Sequence, residues 1–191
     1  MWNRISDWMH QVTSNRVALV ALVVFLLFSV LVLPGQASQR DLTDSPGVGS
    51  PDLSFWYSAD DLYRMADAYG ERGRTQYVRT RFTFDVIWPL VYTLFLSTAI
   101  TRISSRTFVV DSHWQRANLA PIWGALFDFL ENISTSIVML RYPERTPGVD
   151  MLASLFTMVK WVLLVGSFVL LIVGIMAGLW RWGRRTSRKR A

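Results

Sequence analysis

The chain has no cysteine among its 191 residues. That absence excludes disulfides, thiolate nucleophiles, cysteine-ligated zinc and the dithiol chemistry of small helical membrane oxidoreductases. Histidine is nearly absent. His10 and His113 are the only two, and both lie outside the apolar runs, so a histidine metal site inside those runs is excluded by count. No metal and no cofactor is expected. Lysine is as scarce: of 20 basic residues only Lys160 and Lys189 are lysines. Lys189 sits in a basic tail where any cation would serve. Lys160 sits inside a long apolar run, where a charge costs about 2.5–3.5 kcal/mol on insertion scales and therefore needs a partner or a task.

What is abundant is apolar. Hydrophobic residues make up 51% of the chain, and the mean hydropathy is +0.26. Four runs, 17–33, 82–103, 119–140 and 151–179, are long enough for a bilayer, which needs about 17–25 residues per helix. The first exceeds the ~7–15 apolar residues of a signal-peptide core and reads as an uncleaved helix. The fourth is long and implies tilt or projection. Residues 1–16 carry Trp2, Ile5, Trp8 and Met9 at helical spacing, as a helix lying on a membrane interface would.

Residues 36–52, rich in Pro, Gly, Ser and Asp, read as a flexible loop. Ser58-Ala-Asp-Asp then resembles a helix N-cap with acids in the first turn. Leu62, Met65, Ala66 and Tyr69 form an apolar stripe that Gly70 is placed to stop. A second helix is expected to begin near Arg74 and run into the 82–103 span. The expected fold is all-α: one domain over 1–191, a four-helix antiparallel transmembrane bundle with a short amphipathic helix in the first outer loop. Most of the net charge of +6 lies in the tail, 181–191, and reads as an orientation signal and an attraction to anionic lipid, not as a nucleic-acid footprint. Arginines at the chain ends and in the 104–118 loop outnumber those in the 141–150 loop. Both termini are therefore expected in the cytoplasm of a multi-pass cell-membrane protein, with the 34–81 loop outside.

Chemistry concentrates on the third run. Asp128, Glu131 and Thr135 share one helical stripe, and Asn132 lies beside it. Lipid cannot solvate these groups, so the stripe must face the interior. Glu131 and Lys160 are each nine residues from the outer end of their runs, which at 1.5 Å per residue puts both roughly 13 Å deep. Lys160 is thus expected at the level of Glu131, with Asp128 one turn deeper: two acids to one base. On the second run Asp85, Pro89 and Tyr92 share a face. Arg81 can pair with Asp85, and Pro89 frees the carbonyl of Asp85. Arg72, Arg74, Arg79 and Arg81, with tyrosines interleaved, could clamp a phosphate or carboxylate head group at the outer mouth.

The string YSADDLYRMADAYGERGRTQYVRTRFTFDVIWPLVYTLF, followed by LFDFLEN and LASLFTMVKW, resembles an uncharacterised family of small bacterial four-helix integral membrane proteins. The resemblance covers about residues 55–165. It implies a fold and a membrane location, and no activity.

Three functions remain open at this point. One is a polar pocket, open to the outside, that binds a lipid or amphiphile or plays a structural part. The second is a membrane-embedded acid–base enzyme acting on a lipid or isoprenoid, with Asp128 and Glu131 as acid and base. The third is a proton- or ion-coupled transport component.

Overall fold

A computed structural model describes residues 2–35, 49–108 and 112–188. Helix α1 spans Trp2–Val12 and α2 Asn15–Leu31, and a 3₁₀ turn covers Pro51–Leu53. They are followed by α3 (Ala59–Arg81), α4 (Phe84–Thr107), a 3₁₀ segment (His113–Leu119), α5 (Ala120–Arg141) and α6 (Val149–Arg188). No strand occurs among the described residues.

The helix boundaries follow local chemistry. Ser14 caps α2 by accepting from the Val17 N–H at 3.3 Å. Ser58 and Asp61 form a reciprocal capping box at the start of α3, with N–H···O distances of 3.1 and 2.9 Å. The stripe Leu62, Met65, Ala66 and Tyr69 is buried. Gly70 breaks the helix as expected, at φ 62° and ψ 179°, a conformation essentially confined to glycine. The helix resumes at once, however, and reaches Arg81, so the outer element is longer than the short helix expected. The second run likewise does not continue from Arg74. It starts afresh at Phe84 after Thr83, whose hydroxyl donates to the Arg79 carbonyl at 2.8 Å. Helix α6 has 40 residues and continues through the first part of the basic tail, well past residue 179.

Helices α4, α5 and α6 contact one another, and α2 rests on α4. Phe25 stacks on Phe95 and Trp88, and Phe28 on Trp88 and Phe84, with centroids 4.5–5.8 Å apart. Ala21 is the only buried residue of α2, which leaves Leu19, Val20, Leu27 and Val30 exposed. Three stretches are long and apolar enough to cross a membrane, within Asn15–Gly35, Ala59–Thr107 and Val149–Arg184. Helix α5 is not among them. Asp128, Glu131, Asn132 and the Ser134-Thr135-Ser136 run lower its hydropathy, so composition supports three of the four spans expected. In α1, Met9 is buried but Trp8 is 60% exposed. The packed face is set by Ser6, whose hydroxyl donates to Asn118 Oδ1 at 2.9 Å, rather than by the tryptophan.

Two apolar clusters make the core. One joins α3 to the C-terminal end of α5 and the N-terminal end of α6 through Leu62, Met65, Tyr69, Val138, Met139 and Ala153. The other joins α4, α5 and α6 through Phe95, Leu96, Ile100, Ala125 and Leu171. Along α5 and α6 the residues between these clusters are polar and buried: Asp128, Glu131, Asn132, Thr135, Thr157 and Lys160.

Gly70→Ala is expected to destabilise the protein by about 1–3 kcal/mol, the cost of a side chain in that backbone region. Gly166→Ala, in mid-helix with open space where the new methyl group would point, is expected to be neutral or stabilising by up to about 1 kcal/mol. Thermal unfolding of the two variants in detergent measures the difference.

Candidate functional site

The polar layer is built around two cations. Lys160 on α6 ion-pairs with Glu131 on α5 and lies 3.7 Å from Asp128 Oδ1. Helical rise predicts Lys160 and Glu131 at one level, and in the fold they meet. All three residues are nearly inaccessible, at 4% exposure for Lys160, 1% for Glu131 and 8% for Asp128. Tyr92 on α4 donates its hydroxyl to Asp128 Oδ2 at 2.9 Å. Asn132 donates its amide to the Asp85 carbonyl at 3.3 Å. That carbonyl is the one Pro89 deprives of its helical partner, so α5 repairs a defect that proline creates in α4.

The second cation is Arg81. Its guanidinium bridges Asp52 at 2.7 Å and Asp85 at 2.9 Å and lies 4.4 Å from the centre of the Tyr77 ring. Asp52 also accepts from Ser50 Oγ at 2.9 Å. It belongs to a segment that sequence reasoning assigned to the flexible loop. Residues 36–48 of that loop lie outside the described residues, but Ser50, Pro51, Asp52 and Tyr57 are buried. This segment packs against the N-terminal part of α6. Ser154 donates its hydroxyl to the Tyr57 carbonyl at 2.5 Å and accepts from the Tyr57 N–H at 3.3 Å. Tyr57 O–H lies 3.1 Å from Thr157 Oγ1. Thr157 already donates to the Ala153 carbonyl, so the tyrosine is the donor. Burial, and after it the negative charge of Glu131, pushes the Tyr57 phenol well above its ordinary pKa.

The expected site residues therefore separate into two groups. Asp85, Tyr92, Asp128, Glu131, Asn132, Lys160 and Arg81 converge on the buried layer. Arg72, Arg74 and Arg79 do not join Arg81 in a clamp. Arg72 is exposed. Arg74 donates to the Ala66 carbonyl at 2.9 Å and stacks 4.6 Å from the Tyr142 ring centre. Arg79 and Arg81 are two residues apart, about 200° around a helix, so Arg79 faces out where Arg81 faces in. Sequence reasoning missed Asp52, Tyr57 and Tyr77 as members of the layer. The aromatic run Phe55-Trp56-Tyr57 at the end of the loop was the available signal that this stretch is anchored.

The described cavities are lined by none of the layer's charged residues. The larger, of about 790 Å³, is a lateral groove between α2 and the α3–α4 junction. Phe28, Val32, Phe84 and Ile87 form its apolar part, and Gln76, Arg79, Thr80 and Thr83 its polar part. Among the described residues no group of acidic or histidine side chains is arranged to hold a metal ion. No protein family, curated protein or solved structure matches this chain.

Arg81→Gln removes the guanidinium that bridges Asp52 and Asp85 in a buried place. It is expected to cost about 3–5 kcal/mol, as is usual when one partner of a buried pair is removed. It should also free the 49–57 segment. Unfolding in mixed micelles and limited proteolysis after residue 49 measure the two effects, and Asp52→Asn in the same chain should recover part of the loss.

Proposed function

We propose that the chain is a small multi-pass membrane protein that holds an anionic amphiphile at its lateral groove. Helices α2, α4, α5 and α6 form an antiparallel four-helix transmembrane arrangement, with both termini cytoplasmic and α3 with the 49–57 segment on the outer side. Three of these spans are supported by length and hydropathy. The apolar side chains exposed on α2 support the same reading, because lipid accommodates such a face and water does not. The resemblance to small bacterial membrane proteins agrees with this architecture and adds no activity.

The groove is the observation that carries the functional reading. It offers apolar side chains to an acyl chain, and Arg79 with threonine and glutamine side chains to an anionic head group. A pocket leading to Asp128, Glu131 and Lys160 is a weaker reading, because these residues are sealed beneath Tyr57 and its hydrogen bonds to α6. The buried layer serves instead to fix how the helices meet. The same seal weighs against an enzyme whose substrate must reach the two carboxylates.

Arg79→Glu should lower the retention of anionic lipid about tenfold, the worth of one charge-assisted hydrogen bond of roughly 1.5 kcal/mol. Ile87→Trp, which fills the apolar wall, should act in the same direction, and Arg72→Glu should have little effect. Native mass spectrometry of protein released from nanodiscs containing phosphatidylglycerol and phosphatidylcholine gives the retention. Equal retention by wild type and Arg79→Glu would remove the proposal.

A further inference from the structure

The segment that precedes α3 is held at both ends and exposed between them. Upstream, the Tyr69 hydroxyl of α3 donates to the Gly49 carbonyl at 2.9 Å, and Arg81 holds Asp52. Downstream, Ser154 of α6 holds the Tyr57 backbone through both its N–H and its carbonyl. The turn between them is fixed locally. Ser54 Oγ donates to the Ser50 carbonyl at 3.1 Å, and the Ser54 N–H to the Pro51 carbonyl at 3.2 Å. A chain fixed in this way has little freedom to fold its apolar side chains inward, and Leu53, Phe55 and Trp56 are 58–67% exposed.

Ser154 sets the level of this segment along α6. It lies a short way past Met151, where the apolar run of α6 begins, a distance of about 4.5 Å at the helical rise of 1.5 Å per residue. Met151, Leu152 and Leu155, all within a turn of Ser154, are exposed as well. The Pro51–Leu53 turn packs on α6, so the exposed apolar side chains of the segment and of the helix lie at one level. Charge resumes just before the apolar run. Asp60 at the start of α3 and Arg145 in the turn before α6 form an exposed ion pair at 2.8 Å. No residue of 53–56 is charged, and the carboxylate of Asp52 is turned inward to Arg81. An apolar, aromatic band bordered by charge is the pattern of a membrane–water interface.

We propose that Leu53, Phe55 and Trp56 form a hook that inserts into the boundary between head groups and acyl chains, beside the N-terminal end of α6. The bilayer, rather than a second copy of the chain, is the partner because the hook adjoins the exposed apolar side chains of α6, which a spanning helix presents to lipid. Asp52 and Tyr57 already fix its two ends, so insertion orders little further chain. The inference rests on the multi-pass membrane reading and not on the groove.

The absence of cysteine makes the test simple, because Phe55→Cys and Trp56→Cys each accept a single fluorescent label. In proteoliposomes of phosphatidylcholine and phosphatidylglycerol the label meets iodide from the water, or lipids that carry a nitroxide near the head group or at the chain end. The nitroxide near the head group should quench both labels at least about twofold more than the one at the chain end, as insertion by roughly 5–10 Å requires, and iodide should quench them weakly. A label at Arg72→Cys, exposed on α3, should respond to iodide alone. A label at Val169→Cys, exposed in the middle of α6, should respond mainly to the chain-end nitroxide. Labels at 55 and 56 that behave like the one at 72, or that are shielded from water and lipid alike because protein covers them, overturn the hook while the response at 169 upholds the membrane reading. A label at 169 that escapes both nitroxides overturns the membrane reading and the hook with it.

Discussion

Charge in a low-dielectric interior must be met by opposite charge and by hydrogen bonds, and the arrangement of this protein depends on how two cations satisfy that constraint. Lys160 ties α6 to α5. Arg81 ties the end of α3 to the start of α4 and to the 49–57 segment. Tyr92 and Asn132 then join α4 to α5 across the layer. Each of these contacts fixes a rotation and a depth, which apolar packing alone would leave looser. A buried pair is weak evidence for added stability when compared with a hydrophobic replacement, and its attested use is in setting register. The two apolar clusters above and below the layer contribute the burial, and the layer determines which residues face each other.

Helix α2 stands apart from this scheme. It touches α4 through aromatic stacking and through Asn15 Oδ1, which accepts from Arg102 and, at 2.9 Å, from Arg106, and it places no charged group in the layer. The lateral groove lies between α2 and the α3–α4 junction, with Arg79 in its polar lining. The functional reading therefore rests on the periphery of the molecule, while the interior that first draws the eye is largely occupied by the protein's own side chains.

Much of this was legible in the sequence. Helical rise put Lys160 and Glu131 at one depth, helical periodicity put Asp128 and Glu131 on one face, and Pro89 marked a carbonyl in need of a donor. Ser58 announced the start of α3, and Gly70 its break. What was not legible depended on tertiary direction. Asp52 and Tyr57 follow a polar, glycine-rich stretch, and nothing in local spacing says that the chain turns inward after it. The four arginines of 72–81 looked alike by composition, yet helical geometry sends Arg79 and Arg81 to opposite sides, and a carboxylate from outside the helix, Asp52, decided which of them was buried. The polar residues that make the layer also lower the hydropathy of α5, which is not among the three stretches long and apolar enough to cross a membrane.

The most direct test of the central claim, that the ion pair of Lys160 with Glu131 holds α5 and α6 in register, is a double-mutant cycle read by reversible unfolding in mixed micelles. Lys160→Met should destabilise by about 3–5 kcal/mol, and adding Glu131→Gln should recover part of that loss because one of the two carboxylates deprived of Lys160 is then neutral. A Lys160→Met protein as stable as wild type, or a double variant no better than Lys160→Met alone, would contradict the account.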